Sequence, residues 1–262
     1  MDRVQLACND DNVDACLKLA LDVGLGLEVQ TFAYPAALDD DVNARVAKYK
    51  ARLRGFPGYI SMHGAFIDMT SASLDPKVAA VARERYTHNL NIAAELGARL
   101  VVFHANYLTH IRTPEFRAEW TELQVKFWEP MAELAASLQI TIAVENMWEY
   151  EPTIISNVLK QIDSPWLVAC LDTSHAHLYG ETPLDAWLAA LGDCIRYVHL
   201  NNTAGTDDDH YGLDDGVMDY TAVLPKLRAL PRPPIFALEM LKVDAMRRSL
   251  PLFELTPDVE LA

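Results

Sequence analysis

The sequence predicts a single (β/α)8 barrel, and three observations carry that prediction. Apolar runs of strand length alternate with helical stretches from one end of the 262 residues to the other. Hydrophobic residues make up 51% of the chain, enough for one large core. Six of the apolar runs reach a side chain able to hold a metal ion: YISMH at His63, LVVFH at His104, TIAVE at Glu145, LVACLD at Asp172, IRYVHL at His199 and IFALE at Glu239. These residues are separated by 41, 41, 27, 27 and 40 positions. Each run reads as a strand buried on both faces, as parallel sheets require.

Taken in order, strands are expected near 3–7 (RVQLA), 25–31 (LGLEVQT), 58–63, 99–104, 139–145, 167–172, 195–200 and 234–239. The stretch DDNVDACLKLALDVG has Asp and Asn at its start and Gly at its end, as helix caps require. PKVAAVARERYTHNLNIAAELGA opens on proline and closes at Gly97. TPEFRAEWTELQVKFWEPMAELAASL has apolar positions three and four apart, with Pro130 expected to bend or divide it. Shorter helices are expected near 152–161, 183–191, 219–229 and 243–251, and TFAYPAALDDDVN after the second strand reads as a loop. An open doubly wound sheet is the competing architecture. It calls for a glycine-rich turn after the first strand, and LACNDDN contains no glycine. Nothing reads as a linker or low-complexity tract, so one domain over 1–262 is expected.

Charge and cysteine content restrict the partners. Lys and Arg number 22 against 37 Asp and Glu, a formal charge of −15. An acidic surface repels phosphate backbones, so no nucleic-acid partner is expected. A small anionic substrate stays open, because a bound metal reverses the local potential. The four cysteines show no CxxC spacing and read as buried thiols. No apolar run of membrane-spanning length occurs and MDRVQLACND lacks a signal peptide's plan, so a cytoplasmic protein without membrane association is expected. A homo-oligomer is compatible with this composition.

Active sites of such barrels form at the carboxyl ends of the strands, where these six residues belong. Imidazole and carboxylate together suit zinc, manganese, iron or cobalt, and magnesium less well. A lone histidine ending a strand is more often a satisfied core or loop residue than a ligand. The carboxylates weigh more. Glu145 and Glu239 follow IAV and FAL, and an unpaired carboxylate buried there costs several kcal/mol. A cation is the simplest remedy, with an arginine partner as the alternative. LDTSHAHLYG adds His175, and the loop after His199 adds Asp208 and His210 one residue apart. His88, His110 and His177 read as structural or surface residues.

HGAF at 63–66, VVFHANY at 101–107, AVEN at 143–146, LDTSHAH at 171–177, VHLNN at 198–202, DDHYGLDDGVMDY at 208–220 and LEM at 238–240 resemble the xylose isomerase-like barrel superfamily. Its members include sugar and sugar-phosphate isomerases, ketose 3-epimerases, inosose dehydratases and the endonuclease IV group of abasic-site endonucleases. The resemblance implies that Glu145, Asp172, His199 and Glu239 hold a catalytic divalent metal (Mn, Zn, Co, Fe or Mg) and that His175 touches substrate. It implies a weaker substrate contact for Glu151. From the endonuclease IV group it implies two further metals, one on His63 and His104, the other on His175, Asp208 and His210. Where the epimerases carry a substrate-contacting arginine after the seventh-strand histidine, this chain has Asn201-Asn202-Thr203, which makes Asn201 a substrate-binding candidate and departs from ketose 3-epimerase specificity.

The expected activity is a metal-dependent isomerisation or epimerisation of a sugar, sugar phosphate or related polyol ketone, by proton abstraction and a metal-stabilised enediolate. The catalytic residues would be Glu145, Glu239 and His175, and the partner a small carbohydrate. The alternatives are a trinuclear-zinc phosphodiesterase acting on abasic DNA, an inosose-type dehydratase, and a metal-free binding barrel. The second-strand loop, with three acids and no base, weighs against DNA.

Overall fold

The computed structural model describes residues 2–256. Eight strands close into one parallel barrel in sequence order: β1 (Arg3–Cys8), β2 (Gly26–Val29), β3 (Ile60–His63), β4 (Leu100–His104), β5 (Thr141–Glu145), β6 (Leu167–Asp172), β7 (Ile195–Leu200) and β8 (Ile235–Leu238). The last strand closes on the first, with Arg3 opposite Ile235 and Leu6 opposite Leu238. The helices between them are α1 (Val13–Val23), α2 (Pro35–Asp39), α3 (Val42–Arg52), α4 (Pro76–Leu96), α5 (Pro114–Leu138), α6 (Thr153–Ile162), α7 (Thr173–Leu178), α8 (Leu184–Leu191), α9 (Tyr220–Arg228) and α10 (Val243–Ser249). No described helix is long and apolar enough to cross a membrane.

Two expectations need correction. TFAYPAALDDDVN is not a plain loop, because a 3-10 turn at Thr31–Ala33 leads into α2, with Pro35 at its start and Ala37 and Leu38 buried. Pro130 does not divide α5, which runs unbroken from Pro114 to Leu138. Phe127, Trp128, Met131, Ala132 and Ala135 are buried around it, and that packing holds the turn in which proline removes one backbone donor. The helix caps follow the sequence in part: the Asn12 side chain does not cap α1 but accepts from Asn9 N. Gly24 and Gly97 end α1 and α4 in the left-handed conformation, and the Asp75 carboxylate accepts from Lys77 N ahead of Pro76.

Two apolar layers result from strands buried on both faces. The larger lies between the barrel and its helices; the smaller fills the barrel interior with Leu100, Val102, Ala143, Val168, Cys170, Tyr197, Ile235 and Ala237. Side chains alternate across a strand, so a residue two positions beyond an interior one also faces inward. Steps of two lead from Val102 to His104, Ala143 to Glu145, Cys170 to Asp172, Tyr197 to His199 and Ala237 to Glu239. The barrel's own packing therefore aims the expected ligands at its carboxyl-end mouth. A register shift refines this. Ala169 pairs with Ile195 but Cys170 pairs with Tyr197, leaving Arg196 as an extra residue on β7. That bulge sets Asp172 opposite His199.

Candidate metal centre

Glu145 is the hub of the mouth. It is fully buried, and four imidazoles surround it. His199 Nδ1 lies 3.0 Å and His175 Nδ1 3.4 Å from Oε1, while His104 Nε2 and His63 Nε2 lie 3.3 and 3.4 Å from Oε2. Glu239 Oε2 is 3.1 Å from His199 Nδ1. Asp172 accepts the His175 backbone N–H at 2.7 Å and the Asn201 amide at 3.0 Å, so it caps α7 while facing the centre. On the outer side Asp208 Oδ2 lies 3.2 Å from both His175 Nε2 and His210 Nε2.

Among the described residues four groups of potential ligand atoms each fall within 4.8 Å: His63, His104 and Glu145; Glu145, Asp172, His199 and Glu239; His175, Asp208 and His210; and Glu145 and His199 with the Cys170 thiol. All the metal-ligand candidates read from the sequence are thus brought together. The arrangement fits cations on its own chemistry. His63 Nδ1 is 2.8 Å from the Gly64 carbonyl, His175 Nδ1 2.9 Å from that of Asn146 and His210 Nδ1 2.8 Å from that of Glu239. A carbonyl only accepts, so in each ring Nδ1 carries the proton and Nε2 is the free nitrogen. Those free nitrogens face carboxylate oxygens, and two acceptors attract only with a proton or a cation between them. Glu145 Oε2, Glu239 Oε2 and Asp208 Oδ1 are moreover buried without a hydrogen-bond partner. His210 holds a left-handed backbone at φ +52°, a conformation that costs a non-glycine residue about 1–3 kcal/mol and clusters at functional sites.

Without a cation, protons fill these gaps. Burial opposes the charged form of His175 and His199, yet the carboxylates around them hold both well above the ordinary imidazole range. His210 is half-buried; burial opposes its charge, but Asp208 and Glu239 push it up to about 9. Burial raises the Glu145 carboxyl, but His199 and His104 more than offset this and hold it well below the usual range. Asp172 is pushed up to about 6, by burial first and by Glu145 and Glu239 next. His104 is lowered, with burial the main cause. Cation binding must displace these protons, so apparent affinity rises with pH through about 6, where Asp172 ionises, and towards about 9, where His210 loses its proton. Calorimetric titration with Mn2+ at pH 7 is expected to give a heat that varies with the buffer's ionisation enthalpy. A buffer-independent heat contradicts this protonation pattern.

Two substrate-contact expectations are not met in this geometry. Glu151 pairs with Arg117 of α5 and does not line the mouth, because the chain after β5 follows no strand alternation. Glu149 is the buried carboxylate of that segment and accepts from Tyr107 N at 2.9 Å and Met147 N at 2.7 Å. Asn201 is buried behind Asp172 and orients it. Two residues of β2 and its exit were missed, Glu28 and Gln30. Glu28 Oε2 is 2.9 Å from His199 Nε2, and Gln30 Nε2 donates to Glu239 Oε1 at 2.6 Å. Their signal was two polar residues at i and i+2 inside LGLEVQT.

A cavity of about 170 Å³ opens above the centre, bordered by Asn9, Gln30, Tyr34, Phe66, Met147 and Met240 and by the ligand candidates other than Asp172 and His199. Arg112, a loop cation, is occupied by Glu181 at 2.6 Å and lies over the Tyr150 ring.

Comparisons with known proteins identify the fold and the family. The structure of the TTHB071 protein from Thermus thermophilus, soaked with ZnCl2, superposes with a TM-score of 0.80 at 31% identity, covering 97% of each chain. The uncharacterised protein MJ1311 of Methanocaldococcus jannaschii is 26% identical over 200 residues, 73% of this chain and 68% of that protein. Fructoselysine 3-epimerase of Escherichia coli O157:H7 is 24% identical over 135 residues, 49% of this chain and 48% of that enzyme, so this match spans about half of each protein. The profile of the xylose isomerase-like TIM barrel family matches residues 21–254, and the chain belongs to that family.

Proposed function

We propose that the protein is a divalent-metal-dependent isomerase or epimerase of a sugar or related polyol ketone. The observation that carries this reading is the pair of buried, unpartnered oxygens Glu145 Oε2 and Glu239 Oε2, on carboxylates that both border the cavity. The likeness to fructoselysine 3-epimerase supports it. Glu145, Asp172, His199 and Glu239 would hold the cation, which when bound polarises a carbonyl with its neighbouring hydroxyl and stabilises the negative charge that builds as the adjacent carbon loses a proton.

The chain's own residues move that proton. Glu239 takes it from the carbon beside the carbonyl. Return by Glu145 to the opposite face gives an epimer; return by the same carboxylate to the neighbouring carbon, with the hydroxyl proton passing to the former carbonyl oxygen, gives an isomer. His175, its Nδ1 held by the Asn146 carbonyl, presents Nε2 to a substrate oxygen. The Asn9 and Gln30 amides suit hydroxyl groups, and Phe66, Met147 and Met240 shield the reacting carbon from water. Among the described residues no lysine or arginine lines the cavity, which favours an uncharged substrate over a phosphorylated one.

One observation supports a second reading. His63–His104 and His175–Asp208–His210 complete two further ion-holding groups, as phosphodiester hydrolysis by three metals requires. The acidic charge of −15 opposes a DNA substrate. Dehydration of an inosose starts from the same proton abstraction and shares the first reading's residues. Product analysis with a panel of free and phosphorylated ketoses, an inosose and an abasic duplex separates the three. Conversion of a free ketose to its epimer or isomer is expected. Duplex cleavage without ketose conversion would overturn the proposal.

A further inference from the structure

Strand β2 contributes to none of the four ion-holding groups, yet Glu28 sits directly behind one ligand. Glu28 is fully buried, as an unpartnered carboxylate almost never is. Its Oε2 lies 2.9 Å from His199 Nε2 and its Oε1 accepts from Gln30 Nε2 at 3.1 Å. The opposite edge of the same imidazole, Nδ1, lies within 3.0 to 3.1 Å of Glu145 and Glu239. His199 is thus held between an outer carboxylate and the inner ligand cluster. Gln30 repeats the arrangement on Glu239: it occupies Oε1 and leaves Oε2 without a partner.

We propose that Glu28 is a positioning residue: it accepts a hydrogen bond from His199 Nε2–H, fixes that tautomer, and turns the Nδ1 lone pair toward the cation held with Glu145, Asp172 and Glu239. Gln30 does the corresponding work for Glu239. Both act from β2 and its exit at i and i+2, so a single stretch of backbone sets the orientation of two ligands. An outer partner of this kind changes metal affinity or activity by about 10- to 100-fold. A purely structural Glu28 would affect folding without choosing a nitrogen on His199.

The inference rests on the reading of the four-residue group as a metal site, and the test separates the two. Zn2+ affinity is measured by chelator competition for the wild type, Asp172→Asn, Glu28→Leu and Glu28→Gln. Histidine tautomers are read by 15N NMR on the Zn2+-loaded wild type. Asp172→Asn is expected to lose the site, Glu28→Leu to weaken it about 10- to 100-fold, and Glu28→Gln, whose amide oxygen still accepts, to stay within a few-fold of wild type. His199 is expected to carry its proton on Nε2. If Asp172→Asn binds as tightly as wild type, the metal-site reading fails. If Asp172→Asn loses the ion but Glu28→Leu keeps full affinity, the positioning role alone fails. A wild-type His199 protonated on Nδ1 overturns that role even if Glu28→Leu does not fold.

Discussion

Replacing Glu145 with glutamine is expected to reduce turnover by at least about 10²- to 10⁴-fold, the range for loss of a general acid–base group. The effect is the largest we expect because Glu145 serves twice. Its oxygens lie within 3.0 to 3.4 Å of four imidazole nitrogens, and it belongs to both the four-ligand group and the group with His63 and His104. Glutamine keeps the shape but presents one oxygen and an N–H2 group that repels cations. The ion-free fold should survive, since Ile142, Ala143 and Val144 still pack as before. What disappears is the stabilisation by bound metal, RT ln(1 + [L]/Kd), which is about 2.7 kcal/mol at a hundredfold excess over Kd. The checks are kinetics and thermal unfolding with and without Mn2+. Retained metal-induced stabilisation in the variant would remove Glu145 from the site.

Gly64→Ala is expected to cost about 1–3 kcal/mol of stability, as overpacking of a full core does. A Cβ on Gly64 would fall far inside contact distance of the Phe103 ring. That ring cannot give way, because it stacks on Tyr86 at 4.1 Å, and Tyr86 stacks in turn on Trp128 at 5.5 Å. Gly64 also donates its N–H to the Val102 carbonyl and accepts from His63 Nδ1, both at 2.8 Å. The strain therefore reaches the first metal-type histidine. For a chain of this size the unfolding temperature should fall by about 2–4 °C per kcal/mol. An unchanged unfolding temperature would show that the backbone after β3 relaxes freely.

The strand ends were legible because the closed parallel barrel imposes one rule on all of them: apolar to the rim, then polar into the mouth. His104, Glu145, Asp172, His199 and Glu239 each lie two residues beyond an interior side chain, so pattern and position coincide. Glu28 broke the rule by sitting inside its strand between Leu27 and Val29, where only the partner His199, 171 positions away, explains it. Glu151 turns to Arg117 and away from the cavity because the segment after β5 is irregular, and spacing carries no direction there. The Arg196 bulge was equally hidden, since IRYVHL reads as an unbroken strand. Pro130 shows the opposite case, in which tertiary packing overrides a local signal that the sequence states clearly.

The central claim is that these residues remove a proton from carbon beside a carbonyl. Proton NMR in heavy water tests it most directly, with the chelated protein and the Zn2+- or Mg2+-reconstituted protein each incubated with free ketoses. Loss of a single C–H signal adjacent to the carbonyl of at least one ketose is expected, only after reconstitution, and at least about a hundredfold more slowly with Glu239→Gln. Epimerisation or isomerisation with no solvent deuterium at that carbon and undiminished in Glu239→Gln would contradict it.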